Sequence, residues 1–558
     1  MFSKRQLPVD LPTCSPSKRL RHNLVDLFLS NDVSGARADS LLRDAVAADS
    51  KHISDLVSKH PSKKHTGNAP RDLLRRLKKT TVGWPPLFYA EIRTWDTRRQ
   101  MMVPIKIPMY LPHEILGSLL SVNNADTLLQ TGGLNLCAAE HVLKAERLAN
   151  CRFVPFGLWG DGVPCNWDRT QSLECFSLSL PGMDGVSGNI RFPLTVINKK
   201  HCIKHESFDD IISVLTWSFQ ICALGVYPST DHKGQPFADR FRLKMQGKDI
   251  GIKAILAEVR GDWKFYKDTF RLPGWNEKAG CCWKCTCTPD QIRNASSTAE
   301  WRTNRMTQWS FIRRLQASPY GISPILSVPF FHADIFQIDW LHTADLGVTA
   351  NFLGNLFKAA LNKYPGNSKK EQCSSLFADI TQYYRDNQIT SRLDNLYPTM
   401  IQQDGKQPKL RGKAAECRYL VPFAKILVTN HFSDLDPYER TIKQATFALN
   451  RCYDCLSTPA FSAPVLARSC KEFALLSCAL EAHVEAKWWR VKPKLHLFQE
   501  LCECSNSKPS TCWTYRDEDF GGSMAAISKK RGGRVSPANL AMTVLTKFAV
   551  KNPMPKIR

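Results

Sequence analysis

The sequence predicts a mixed α/β core interrupted by a long all-helical block, and three observations predict it. Between Cys151 and Trp275, three short apolar runs are followed by a stretch with helical spacing and then by a fourth apolar run. From about Asp290 to Trp489 the apolar residues recur at helical intervals instead. A basic, weakly patterned stretch precedes both. The expected division is therefore a basic, flexible extension over 1–80, a mainly helical region over 81–150, the first part of the core over 151–289, the helical insertion over 290–490, and the rest of the core with a basic tail over 491–558.

Each element has its own signal. The extension carries Lys59 to His65 and the run Arg71 to Lys79, in which Leu73, Leu74 and Leu77 fall on one side of a short basic helix. Val103 to Tyr110, with Pro104 and Pro108, reads as extended, and Pro112-His113-Glu114 opens a helix through Leu120. Phe153 to Trp159 is the first core strand and runs into Gly160-Asp161-Gly162. Cys175 to Leu180 is the second, and Ile190 to Ile197 the third, with Pro193 placing it at an edge or bulge. Ser207, with Asp210 three residues on, marks a helix start, and Gly225 its end. Ile255 to Val259 is the fourth strand and runs into Arg260-Gly261-Asp262. Three sequential strands, a helix and another strand are the order expected of an RNase H-like fold.

Composition narrows the function classes. A net charge of +25 and a pI near 9.4 favour a polyanionic partner, and nucleic acid is the expected one. No apolar, charge-free run is long enough to span a bilayer, and Met1 to Leu20 lacks the apolar segment of a secretory signal, so an intracellular protein without a membrane partner is expected. In that setting the 20 cysteines read as reduced thiols or metal ligands rather than disulfides.

Two constellations carry chemistry. Phosphodiester cleavage by a pair of hard divalent cations needs converging carboxylates, and the candidates are Asp161, Asp262 and Glu518. Gly160 and Gly162 would let a metal-bound phosphate approach the backbone at Asp161. Glu258 is the alternative to Asp262, and Asp517 or Asp519 to Glu518. The second constellation is Cys281-Cys282-Trp283-Lys284-Cys285-Thr286-Cys287, whose Cys-x-x-Cys and Cys-x-Cys spacings suit Zn²⁺. The more distant Cys452-x-x-Cys455, His332 and His342 are candidates to complete such a site.

Taken in order, these features resemble the DDE/DDD transposases with an RNase H-like core and a helical insertion, such as those of hAT, CACTA and Plavaka-type elements. The resemblance rests on Asp161 on the first strand, Asp262 after the fourth, Cys282-x-x-Cys285 soon afterwards, Asp339-x-x-His342 with Asp345-Leu346-Gly347-Val348 at the start of the insertion, and Lys492-Pro493-Lys494-Leu495-His496 before Glu518. It spans roughly Phe153 to Pro537; Glu518 is followed by Asp519, where related enzymes often have Arg. It implies that Asp161, Asp262 and Glu518 hold Mg²⁺ or Mn²⁺, that His342 supports the site from the insertion, and that a nuclear homo-oligomer acts on paired DNA ends. The alternatives are a catalytically inactive, DNA-binding descendant and a zinc-stabilised interaction module.

Overall fold

A computed structural model describes residues 15–57, 69–79, 83–166, 168–183, 190–457, 461–483, 488–504, 506–528 and 535–557. The fold is mixed α/β and 53% helical, with a small mixed sheet. No helix among the described residues is long and apolar enough to cross a membrane.

The extension expected over 1–80 contains more structure than its charge suggests. Helices Pro16–Leu29, Gly35–Ala47 and Ala69–Lys78 pack Leu24, Phe28, Leu42, Leu73 and Leu77 into a core of their own, sealed by Ile53 and Leu56. Lys547, from the last helix of the chain, donates its ammonium to the Phe28 carbonyl (2.8 Å) and to Asn31 Oδ1 (2.7 Å), which docks this unit on the C-terminal end. The basic side chains had masked an apolar stripe wide enough to bury. The Lys59–His65 cluster lies outside the described residues.

The region over 81–150, expected to be mainly helical, opens with an antiparallel hairpin of β1 (Phe88–Asp96) and β2 (Met101–Met109). Three helices follow: Pro112–Leu120, Ala125–Leu128 and Leu136–Ala149. β1 alternates between buried and exposed residues, as a strand with one packed face must.

The four-stranded sheet has the order β5-β4-β3-β6, with β3 Val154–Pro164, β4 Ser172–Ser179, β5 Arg191–Asn198 and β6 Ala254–Arg260. β3, β4 and β5 are joined antiparallel, whereas β6 lies parallel to β3 after a crossover through the helix Glu206–Leu224. Pro193 cannot donate to a ladder, and β5 accommodates it at the sheet edge beside a register shift at Phe176/Ser177. Gly225 closes the crossover helix in the left-handed region at φ 79°. The start of that helix differs from expectation. It begins at Glu206, and the Ser207 hydroxyl accepts from Ile203 N and donates to the Arg93 carbonyl (2.6 Å), while Asp210 binds the Arg93 guanidinium rather than a free amide of its own helix.

From Glu300 to His483 the described residues contain helices and no strand. The chain then returns to the sheet: the helix Tyr515–Ser528 packs on β3 and β4, and Pro537–Lys551 on β2 and β5. Two segments are π-helical, Leu341–Thr349 and Glu500–Cys504. Such widened turns shift the phase of the side chains that follow and recur at functional sites. Each of these carries a residue of the two clusters described next.

Candidate functional site

Strand register brings the first two acids together. Trp159 on β3 pairs with Arg260 on the parallel β6, and Asp161 and Asp262 each lie two residues further on, at the same end of the sheet. Asp161 Oδ1 accepts from Gly162 N (2.6 Å). Asp262 caps the helix Trp263–Phe270, its Oδ1 accepting from Phe265 N (2.6 Å). Both acids line one cavity of about 400 Å³, together with Glu174, Lys199, Lys204 and Lys264. The flanking glycines also allow close packing: a Cβ on Gly160 would lie 2.2 Å from the Phe265 ring, and one on Gly162, which lines the same cavity, would lie 2.8 Å from Ser172 Oγ.

Glu518 enters from the first turn of the helix Tyr515–Ser528 and meets Asp161 directly, carboxyl against carboxyl. His342 joins them from the π-helical segment, its Nε2 lying 4.0 Å from Asp161 Oδ2 and 3.8 Å from Glu518 Oε1. Ligand atoms of Asp161, His342 and Glu518 all fall within 4.8 Å of one another. The imidazole is aimed by Asp339, whose Oδ2 accepts from His342 Nδ1 (2.7 Å) and His342 N (2.8 Å), while its Oδ1 accepts from Thr514 N (2.8 Å). Asp339 thus links the start of the helical block to the turn that leads into Glu518.

The electrostatics are those of crowded, buried acids. Burial, and next the charge of Asp262, push Asp161 upward to about 6. Burial and the Asp161 charge push Glu518 up to about 9. Burial acts to lower His342, but its bond to Asp339 and the surrounding carboxylates prevail and raise it to about 9. Glu518 Oε1 is buried without a hydrogen-bond partner. Crowded carboxyls with an orphaned oxygen suit a cation supplied from outside, and carboxylate oxygens suit a hard divalent ion.

Two of the alternative acids, Asp517 and Glu258, are occupied elsewhere. Asp517 is fully buried, with Arg191 Nε donating to its Oδ1 (2.5 Å) and Arg260 at 3.6 Å. Glu258 is buried against Arg260 (2.5 Å). Four residues before Asp262, on β6, its carboxylate belongs with Arg260, not with the cavity acids.

A second cluster gathers Cys282, Cys285, His496 and Glu500, all buried, with ligand atoms within 4.8 Å of one another. Cys285 Sγ lies 3.3 Å from His496 Nε2 across 211 residues of sequence, and His496 Nε2 lies 3.6 Å from Glu500 Oε1. The Lys284 amide donates to Cys282 Sγ (3.3 Å), and the Cys285 and His496 contacts draw the Cys282 thiol down to about 5 despite its burial. This Cys/His/Glu group could hold a metal ion. Arg305 forks onto Glu500 (2.9 and 2.7 Å), and the Trp301 edge packs on His496 at 4.6 Å, fixing both side chains from behind.

The expected zinc set changes accordingly. His342 belongs to the acid cluster and not to the cysteines. Cys281 and Cys287 pair with each other, Cys281 N donating to the Cys287 carbonyl (2.8 Å), and stand outside the four-residue group. Cys452 and Cys455 lie on the helix Pro437–Ser457 beside Cys470, and His332 bonds Asp334. His496 and Glu500 had not been singled out as ligands. Their signal was available as an i, i+4 His/Glu pair inside the apolar run Leu495, Leu497, Phe498, Leu501. No protein-family model matches this chain, and no curated protein matches it.

Proposed function

We propose that the chain is a DDE/DDD-type transposase that cleaves and joins DNA phosphodiesters with divalent cations. The observation that carries this reading is the position of Asp161, which shares one cavity with Asp262 at the ends of two parallel strands and meets Glu518, from a helix near the tail, beside His342. The strand order, with two acids at the same end of a β5-β4-β3-β6 sheet and a helical block before the third, supports an RNase H-like core with an insertion. The surplus of +25 charges supports DNA as the substrate.

In this reading Asp161, Asp262 and Glu518 would hold Mg²⁺ or Mn²⁺, which when bound activates an attacking oxygen and stabilises a leaving one. The protein's own groups prepare the place. The cap to Phe265 N holds Asp262 at the sheet edge, and Asp339 holds the His342 ring so that Nε2 faces Asp161 and Glu518. The imidazolium offsets part of the repulsion between the carboxyls, keeping them together before a cation arrives. The Cys282, Cys285, His496, Glu500 group would take Zn²⁺ and tie the segment after Asp262 to the one before Glu518. Residence in the nucleus and assembly as a homo-oligomer on paired DNA ends belong to the same proposal.

The test is Mg²⁺- or Mn²⁺-dependent nicking of plasmid DNA by the full chain and by Asp161→Asn, Asp262→Asn and Glu518→Gln. Each variant should lose cleavage by about a thousandfold or more, comparable to losing a major electrostatic catalytic contribution, while still binding DNA. Cleavage that persists in all three would overturn the proposal. A wild-type protein that binds DNA and never cuts it would assign the catalytically inactive alternative.

A further inference from the structure

Several buried or half-buried arginines among the described residues have an acid beside them: Arg93 has Asp210, Arg191 has Asp517, Arg242 has Glu114, and Arg271 has Asp209. One cluster departs from that pattern. Lys492 and Lys494 flank Pro493 at the start of the helix Pro493–Gln499, and Arg490 precedes them. Lys492 Nζ donates to Asn351 Oδ1 (2.8 Å), and Lys494 Nζ to the His342 carbonyl (2.7 Å). Both are neutral acceptors. The charges acting on Lys492 are those of Lys409 and Arg490, both of its own sign. Lys409 lies on the segment that crosses the helix Ala350–Leu361, where Leu410 N donates to the Ala350 carbonyl (2.8 Å).

The cluster is graded in exposure. Lys409 and Arg490 are exposed, whereas Lys492 and Lys494 are half-buried. Arg490, Lys492 and Lys494 line one cavity with Asn351 and Asn355, over a floor that includes Phe352 and Trp489. Lys494 stands next to the acid cluster, since its Nζ bonds the carbonyl of His342, whose ring faces Asp161 and Glu518, and the charges of Asp262 and Asp339 act on it. Like charges gathered and partly desolvated oppose folding unless an anion compensates them, and among the described residues no carboxylate bonds these four.

We infer that Lys409, Arg490, Lys492 and Lys494 form a phosphate-binding track that leads one strand of DNA from the surface to the Asp161–Asp262–Glu518 centre. Successive cations at increasing depth match the repeated charge of a nucleic-acid backbone better than a single small anion, which would need one pocket rather than a path. The carbonyl of His342 orients the Lys494 ammonium, so that the innermost phosphate would meet a fixed charge next to the acids. This inference rests on the reading of the chain as a DNA-processing protein.

The test is fluorescence anisotropy of a labelled single-stranded 20-mer with the full chain in Ca²⁺, titrated with salt, beside the nicking assay. The triple variant Lys409→Ala/Arg490→Ala/Lys492→Ala should bind about tenfold more weakly near 0.1 M salt, and its log–log salt slope should shrink by about 2, at roughly 0.7 per lost phosphate contact. The variant Lys409→Arg/Lys492→Arg, which keeps the charge, should bind like wild type. Excess inorganic phosphate at matched ionic strength should not displace the oligonucleotide; displacement would identify a single-anion pocket and overturn the track. An unchanged affinity and slope in a triple variant that melts like wild type would overturn it too, and would leave the enzymatic reading standing if Asp161→Asn still abolishes nicking. A reduced slope in a protein that never nicks DNA would uphold the track while the enzymatic reading fell.

Discussion

Tyr515 donates its hydroxyl to Asp345 Oδ2 at 2.6 Å, joining residues 170 positions apart. Tyr453 and Trp340 donate to the other oxygen at 2.5 and 3.2 Å, so the fully buried carboxyl is bonded on both sides. Burial lifts Asp345 to about 7 against the pull of these donors. The contact couples the π-helical segment that carries His342, the long helix Pro437–Ser457 and the first residue of the helix that carries Glu518.

Tyr515→Phe should therefore destabilise the protein by about 1.5–3 kcal/mol, the range for a hydrogen bond to a charged group. It should also reduce nicking, because Glu518 lies one turn beyond Tyr515. Urea unfolding and the nicking assay check both; a variant with wild-type stability would deny Asp345 its coupling role.

Neighbouring acids should respond in opposite ways. Asp517→Asn removes the buried carboxylate that Arg191 grips and that Arg260 shares with Glu258, and should cost about 3–5 kcal/mol. Glu518→Gln relieves repulsion with Asp161 and should leave the metal-free protein at least as stable as wild type while ending nicking. Melting temperatures of the two variants measured without divalent ions decide the matter.

The Cys282, Cys285, His496, Glu500 group should carry about one zinc per chain, as a four-ligand structural site does. Elemental analysis of the purified protein and of Cys282→Ser and His496→Gln checks this; both variants should lose the metal and melt at lower temperature. Chelation should lower the melting temperature of wild type and leave the variants unmoved.

His113 should confer acid sensitivity. The ring is buried, with Nδ1 2.7 Å from Ser218 Oγ, and burial holds it neutral by lowering it from 6.5 to about 3. The unfolded chain binds this proton more readily, so the stabilisation is present above pH 6.5 and is lost as the pH falls toward 3. The loss is roughly 1.4 kcal/mol per pH unit in that window. Unfolding measured at pH 7.5, 6.5 and 5.5 should show a shallower fall for His113→Asn than for wild type.

Much of the core could be read locally. β4, β5 and β6 are apolar runs bounded by turn residues, Gly225 ends its helix, and Pro193 foretold an edge, because such signals are carried by neighbours along the chain. The common end of Asp161 and Asp262 also follows from two strands and their direction. The rest depended on contacts between distant segments. Whether His342 faces cysteines or acids, whether Asp517 or Glu518 turns toward Asp161, and that His496 and Glu500 complete the cysteine pair were settled by packing. The N-terminal helices hid behind their charge for a related reason: their stripe becomes visible as a core only when Leu24, Leu42 and Leu73 are seen to meet. Periodicity states which face of a segment avoids water, but the partner that covers that face, and hence the geometry of any site between them, is a property of the folded chain.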